Sequence, residues 1–355
     1  MFNLFVFEND NETTVIYNLD SKNKGDIKMD SNFFQIQSSI LSPDALLKEI
    51  SLRYGFKTLQ CRLWSAGLND VYLLQEATRK YFLRTSHTKR FSKKDYEEEL
   101  NVMLQLRARG INTCIPVKQL DDTYIWEINA PEGKRYAVLF EEVKNDNNVS
   151  NYNMGKLAAE IHKTSDEVIL NISRQPIAYE QLIAQPIKSI IESGFINEMD
   201  TQLLVESSME IWNHLKSHIP NTAPYYGYCH GDMHSGNIYF NDGIPQIFDF
   251  DCMGNGYRAY DLCVYLWDET SINEEFINSE EWKDYLEGYN EVRKLSNTEV
   301  IAIPAFASLR QLWFIGLIID ATNINNTWDG LNDSFFKDQL KRYTFWYNKW
   351  KSTVN

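Results

Sequence analysis

The sequence predicts an α+β protein of two lobes: a small N-terminal lobe of antiparallel sheet plus helix, and a larger, mainly helical C-terminal lobe. Three observations predict it. Between Thr58 and Glu141 short strand-like segments alternate with turn residues, interrupted by one long amphipathic stretch. From Asn153 onward the apolar spacing is helical, broken only by a hairpin around Gly243. Between these regions, Lys144–Asn153 is polar, rich in Asn and Asp, and aperiodic, which places a hinge at Glu141–Val143. The expected organisation is an N-terminal extension over 1–40, a small lobe over 41–143 and a large lobe over 144–355.

Each element follows from local chemistry. Residues 1–40 are polar, with strand-like pieces at Leu4–Phe7 and Thr14–Tyr17. Ser42-Pro43-Asp44 opens a helix with a cap residue and Pro at its first position, and Gly55 ends it. Leu46, Leu47, Ile50 and Leu52 supply its apolar side. Strands are expected around Thr58–Trp64, Val71–Gln75 and Lys80–Thr85. A helix over Lys94–Arg109 turns Leu100, Met103, Leu104 and Leu106 inward and stops at Gly110. Strands resume at Ile115–Gln119, Tyr124–Ile128 and Arg135–Glu141.

Charge and composition exclude several classes. There are 49 acidic against 35 basic side chains, a formal charge of −14, which argues against nucleic acid or an anionic membrane as the main partner. A hydrophobic content of 43% over 355 residues suffices for two cores. Cys61, Cys114, Cys229, Cys252 and Cys263 are odd in number and contain no CxxC pair, as expected of reduced, mostly buried thiols in a cytoplasmic protein. No basic, apolar leader opens the chain. The longest apolar stretch, Leu312–Ile319, is too short to span a bilayer and reads as a helix core.

The chemistry is concentrated in His230-Gly231-Asp232-Met233-His234-Ser235-Gly236-Asn237, followed by Asp249-Phe250-Asp251. Between them Ile238-Tyr239-Phe240 and Ile244–Phe248 flank Asn241-Asp242-Gly243, a strong hairpin signal. Asn237 and Asp249 are equally far from Gly243, so the hairpin is expected to set them side by side. An amide oxygen beside a carboxylate suits Mg²⁺, which takes one or two carboxylates plus substrate phosphates. Asp232, five positions before Asn237, has the spacing of a hydroxyl-orienting base and a metal ligand on one loop.

This motif resembles the aminoglycoside phosphotransferase and choline kinase superfamily, small-molecule kinases of protein-kinase-like fold. Further segments carry the resemblance: Gly67-Leu68-Asn69-Asp70-Val71-Tyr72 is similar to the nucleotide loop, and Tyr81-Phe82-Leu83-Arg84 to the strand bearing the phosphate-binding cation. Glu99-Leu100 through Pro116-Val117 is similar to the homoserine-kinase-like and stress-response-kinase branch. Met154–His162 and Tyr260-Asp261-Leu262 are similar to the first large C-lobe helix and the anchor after the metal site.

The resemblance implies ATP and Mg²⁺ as cofactors and a small-molecule alcohol as acceptor, such as homoserine or an antibiotic. Asp232 is then the catalytic base, and Asn237 and Asp249 are metal ligands. Asp251 holds a second Mg²⁺ or only hydrogen-bonds the loop. Arg84 stands where Lys is commoner and binds phosphate bidentately, with Glu99 as its expected ion-pair partner. Gly67 and Asn69 belong to the nucleotide turn, where backbone amides at Leu68–Asp70 cap the phosphates. His230, His234 and Asp261 support the loop. Trp267, Asp268, Glu269, Trp313 and Asp320 are acceptor-side candidates, suited to an amine by aromatic and acidic groups, or are packing and surface residues. Three other classes stay open: a Ser/Thr protein kinase, a nucleotide-binding regulator without catalysis, and a metallohydrolase using His230, Asp232 and His234 as transition-metal ligands.

Overall fold

Ser42 starts the first element by accepting the Ala45 N–H on its hydroxyl, and Gly55 ends it in the left-handed region (φ 74°). The computed structural model of the protein describes residues 36–57, 60–168, 170–325 and 330–354, so the strand-like pieces at Leu4–Phe7 and Thr14–Tyr17 lie outside the described residues. In helix α1 (Pro43–Tyr54) the buried stripe is Leu46, Ile50 and Tyr54, at four-residue spacing. Leu52, expected inward, falls off that stripe and is 72% exposed.

Strands β1 (Gln60–Ser65), β2 (Asn69–Glu76) and β3 (Arg79–Ser86) form an antiparallel meander. Helix α2 (Lys93–Arg107) follows, opened by a capping box in which Ser92 and Asp95 satisfy each other's backbone N–H. Leu100, Met103 and Leu106 are buried, while Leu104, expected inward, is only half-buried. Strands β4 (Ile125–Ala130) and β5 (Gly133–Glu141) complete a sheet of order β1-β2-β3-β5-β4. The strand expected at Ile115–Gln119 does not form. Pro116 has no N–H for a ladder, so this segment makes one bridge, with Val117 N donating to Leu139 O and Glu141 N to Ile115 O.

The remainder is mainly helical: α3 (Asn151–Asp166), α4 (Gln185–Ser193) and α5 (Glu198–His218) precede the loop motif, and α6 (Ala259–Thr270), α7 (Glu280–Val292), α8 (Asn297–Asn325) and α9 (Asp333–Val354) follow it. Around the motif lie strands β6 (Tyr226–Cys229), β7 (Ile238–Asn241), β8 (Ile244–Ile247) and β9 (Gly254–Tyr257). The expectation of one hairpin is therefore incomplete. β7 and β8 form it, but β6 and β9 pair as a second antiparallel ribbon, each four residues long, without an alternating pattern and containing glycine. All these elements belong to one compact unit, Ile36–Asn355.

Two packing features fix the helical part. Helix α8 is long and apolar enough to cross a membrane by length and composition, yet 67% of its apolar window is buried, packed against α4, α5, α6 and α9. It is the central core helix. Helices α3 and α7 touch through glycine: a Cβ on Gly155 would lie 1.8 Å from Tyr285 O, and one on Gly288 would lie 1.9 Å from Tyr152 O. Since the obstacle is backbone, the helices must separate to admit a methyl group. Gly288→Ala is expected to cost about 1–3 kcal/mol, read as a lower denaturant midpoint at unchanged slope. An unchanged midpoint would contradict this close crossing.

Candidate active site

The β7–β8 hairpin turns at Asp242 and Gly243, both with positive φ (54° and 74°), as in a two-residue turn of the right hand for a twisted hairpin. The pivot therefore falls between these residues, Ile238 pairs with Ile247, and Asn237 lies opposite Phe248, whose N–H it accepts at 3.1 Å. The expected side-by-side placement of Asn237 and Asp249 is off by one residue. Asp249 instead adopts a left-handed backbone (φ 62°, ψ 70°) just past the strand. Such a conformation in a non-glycine residue costs on the order of 1–3 kcal/mol and concentrates at functional sites.

The loop from β6 to β7 is braced from below. Asp261, fully buried on α6, accepts His230 N and Gly231 N, both at 2.8 Å, and His162 Nε2 at 2.9 Å. Burial opposes its charge, but the His162 hydrogen bond and its other partners keep its carboxyl below the usual range. His162 is pulled down to about 4 by burial, so its neutral ring donates to Asp261 and accepts from Tyr289. His230 is likewise lowered by burial, and both its ring nitrogens serve the loop, toward Asp232 N and Phe248 O. Gly231 (φ 81°) admits this bend; a Cβ there would meet Cys252 O at 2.1 Å.

Asp232 lies above this brace. Asn237 Nδ2 donates to its carbonyl at 2.9 Å and to Oδ2 at 3.1 Å, which turns the amide oxygen of Asn237 away from the loop. Arg310 Nη2 donates to Oδ1. Burial would raise this carboxyl, but the Arg310 guanidinium, aided by His234, holds it well below the usual carboxylate range. His234 stands between Asp232 (3.5 Å) and Asp268 (3.4 Å). Burial lowers its affinity for a proton and the two carboxylates overcome this, raising it to about 9. The Gly236 N–H, 3.1 Å from Nδ1, favours the neutral ring and works against that rise.

Arg84 joins the sheet to the acidic loop. Its Nη2 donates to Glu99 Oε1 at 2.6 Å and its Nη1 to Asp249 Oδ1 at 3.0 Å. Glu99 is also approached by Arg174 Nη2 at 3.4 Å. Asp251 accepts Asn69 Nδ2 at 2.9 Å and Arg90 Nη2 at 3.0 Å on one oxygen. Burial, then the neighbouring Asp251, raises the Asp249 carboxyl to about 7, whereas Asp251 stays low because Arg90 and Arg84 outweigh its burial. Gly67 lines neither flanking cavity; its carbonyl accepts His87 Nε2 at 2.8 Å.

Two cavities flank this cluster. One, of ≈ 560 Å³, is lined by the apolar Trp64, Val71, Phe82 and Phe140, by Glu141–Val143, and by Arg84 and Asp249. The other, of ≈ 360 Å³, is bordered by Arg90, Arg174, Asp251, Trp313 and Asp320. Of the acceptor-side candidates, Trp313 and Asp320 thus face a cavity, Asp268 and Glu269 are half-buried, and Trp267 is core, its indole N–H bonded to Gln311. Against the grouping of His230, Asp232 and His234 as transition-metal ligands, His230 directs Nε2 to Phe248 O at 3.2 Å and accepts Asp232 N on Nδ1 at 3.3 Å. Among the described residues the cluster close enough for a metal is His162, Cys229 and Asp261; His162 and Asp261 bond each other, Asp261 also holds the loop, and Cys229 Sγ donates to Tyr257 O at 3.5 Å.

A family model described as the phosphotransferase enzyme family matches residues 61–295. The chain belongs to this family. Among relatives of this phosphotransferase, an uncharacterized protein of Synechocystis sp. is 29% identical over 312 residues, covering 85% of each chain. The amicoumacin kinase of Bacillus subtilis is 22% identical, covering 81% of this chain and 88% of its own. The homoserine kinase of Chelativorans sp. is 27% identical, covering 70% and 75% respectively. Among solved structures, an amicoumacin kinase with AMP-PNP, Ca²⁺ and Ami superposes with a TM-score of 0.68 at 19% identity, covering 88% of this chain and 94% of its own. A microcompartment-associated aminopropanol kinase gives 0.67 at 16%, covering 86% and 95%. These likenesses establish the protein-kinase-like fold of the phosphotransferase.

Sequence reasoning missed Arg90, Arg174 and Arg310, which complete the site. Only Arg310 left a local trace. It is the one charged residue between Ala302 and Ile319.

Proposed function

We propose that the chain transfers the γ-phosphoryl group of ATP to the hydroxyl of a small molecule, an amino alcohol such as homoserine or a hydroxyl-bearing antibiotic. The observation that carries this reading is a cleft with apolar walls that Arg84 and Asp249 line as a hydrogen-bonded pair, next to a loop in which Asn237 holds Asp232 and accepts the N–H of Phe248, the neighbour of Asp249. The names of the relatives supply the acceptor class: homoserine, aminopropanol and amicoumacin kinases.

The base would lie between Val71, Phe82 and Phe140, with backbone groups of Glu141–Val143 at its polar edge. Arg84 would neutralise the phosphate tail while Glu99 keeps its guanidinium in place. Asn237, Asp249 and Asp251 would hold Mg²⁺ through their amide and carboxylate oxygens, and the metal would supply positive charge against the charge that develops on the phosphates. Asp232, ionised at neutral pH, would accept a hydrogen bond from the acceptor hydroxyl and aim it at the γ-phosphorus. The hydroxyl oxygen forms the new P–O bond, the bond to the bridging oxygen of ADP breaks, and the hydroxyl proton passes to Asp232 as transfer completes. The low basicity of Asp232 suits orientation followed by late proton transfer, in line with a loose transition state.

A thermal melt with Mg²⁺-ATP, Mg²⁺-GTP and Zn²⁺ tests this. Ligand at a hundred times its dissociation constant stabilises by about 2.7 kcal/mol. Stabilisation by Mg²⁺-ATP, followed by phosphorylation of homoserine or 1-aminopropan-2-ol, is the expected result. A response to Zn²⁺ and to neither nucleotide would sink the reading.

A further inference from the structure

Helix α8 packs against α4, α5, α6 and α9, and it carries one cation inward. Arg310 is 4% exposed. Burying a guanidinium in such a helix is unfavourable unless its donors are satisfied, and each satisfied donor points at the same place. Nη1 donates to Gly231 O at 3.1 Å and to Tyr260 OH at 3.2 Å, and Nη2 donates to Asp232 Oδ1. The planar group lies against two indoles, 4.1 Å from the Trp313 ring centre and 5.2 Å from that of Trp267. Trp313 is also a wall of the cavity that holds Asp251 and Asp320.

We propose that Arg310 is the positioning residue for the proposed acceptor step: it fixes Oδ1 of Asp232, so that Oδ2, which also accepts Asn237 Nδ2 at 3.1 Å, is turned to take the acceptor hydroxyl, and it ties that geometry to the Trp313 wall. This rests on the phosphotransfer reading above. Arg310 lines neither of the two cavities that flank the site, and its hydrogen bonds go to the loop and to Tyr260. Its two adjacent nitrogens clamp the loop at a carbonyl and at the next residue's carboxylate, so the guanidinium sets both the height and the rotation of Asp232. An acceptor seated on Trp313 would rest on the ring that backs this guanidinium. Lysine cannot replace it, because a single ammonium cannot span a carbonyl, a carboxylate and a phenol while stacking between indoles.

The test uses the full chain with Arg310→Ala and Arg310→Lys, Mg²⁺-ATP, and homoserine or 1-aminopropan-2-ol as acceptor. Where neither is turned over, ATP hydrolysis is measured, with water as acceptor. The expected result is a kcat loss of about 100-fold in both variants, the cost of a small misplacement of a reacting group, with the KM for ATP unchanged. Added guanidinium ion should restore turnover to Arg310→Ala and not to Arg310→Lys. A kcat near the wild-type value, or a loss that guanidinium does not reverse and that follows KM for ATP, would overturn the inference. Melting of Arg310→Met, Asp232→Asn and their double variant decides the pairing without any turnover. Coupling requires the double variant to lose less than the sum of the single losses, and additivity overturns it. Failure of the wild-type chain to bind Mg²⁺-ATP would instead count against the phosphotransfer reading, whatever the melts show.

Discussion

Asp232→Asn is expected to lower kcat by about 10²–10⁴-fold, the range for a lost acid–base group, while stabilisation by Mg²⁺-ATP is retained. The split follows from what each atom touches. Asp232 contacts Asn237, His234 and Arg310, and does not line the cleft that Arg84 and Asp249 line. Its loss therefore leaves the proposed nucleotide site standing. An amide keeps an oxygen for Arg310 but removes the charge, and its NH₂ group faces the Asn237 amide and the His234 ring as a donor where a carboxylate accepted. The hydroxyl of the acceptor then has no anionic partner. Breaking a buried ion pair costs on the order of 3–5 kcal/mol, and Arg310 retains Gly231 O and Tyr260 OH, so the variant should melt lower and remain folded. Single-turnover rates at a temperature below both melts separate chemistry from unfolding. Full turnover in Asp232→Asn would remove Asp232 from the base role.

What the sequence disclosed about this site depends on how local each interaction is. The loop from His230 to Asn237 was legible because its hydrogen bonds close within the motif: His230 to Asp232, His234 to Gly236, Asn237 to Asp232. The hairpin was legible from Asn241-Asp242-Gly243, but its register was not. A two-residue turn takes both Asp242 and Gly243 at positive φ, so the symmetry centre is a bond rather than Gly243, and a one-residue error moves Asn237 from Asp249 to Phe248. Arg310 was illegible because it meets Asp232 across 78 residues, through the packing of α8 under the loop. The β6–β9 ribbon was hidden for the same reason, since Tyr226 pairs with Tyr257 and neither strand alternates. Leu52 misled in the opposite direction: apolar in sequence, it lies off the Leu46-Ile50-Tyr54 stripe and faces solvent. Apolar runs report a core only where their spacing matches the face that packing selects.

Asp249→Asn is expected to separate stability from binding. Near neutral pH the variant should melt no lower than the wild type, and stabilisation by Mg²⁺-ATP should vanish. The first half follows from electrostatics. Burial and the adjacent Asp251 raise the Asp249 carboxyl to about 7, above the unfolded value near 3.9. A carboxyl raised on folding weakens the fold as pH climbs past the unfolded value, and does so fully above the folded one. The wild type therefore loses stability through this group between roughly pH 4 and pH 7, and asparagine removes that slope. The effect is moderated because the side chain is 37% exposed toward the cleft and Arg84 lies 3.0 Å away. Arg84 loses a partner in the variant but keeps Glu99 at 2.6 Å. Asparagine also tolerates the left-handed backbone at this position as readily as aspartate. The second half follows from charge: an amide oxygen is a weaker ligand for a hard divalent cation than a carboxylate, and Asp251 is already engaged by Arg90 and Asn69. Melts of both chains at pH 5 and pH 8, with and without Mg²⁺-ATP, decide the matter. A ligand-induced shift that survives in Asp249→Asn would move the metal to other oxygens. A variant that melts well below the wild type at pH 8 would mean that Asp249 serves chiefly as a structural partner of Arg84, and the strain at its backbone would then need no functional explanation.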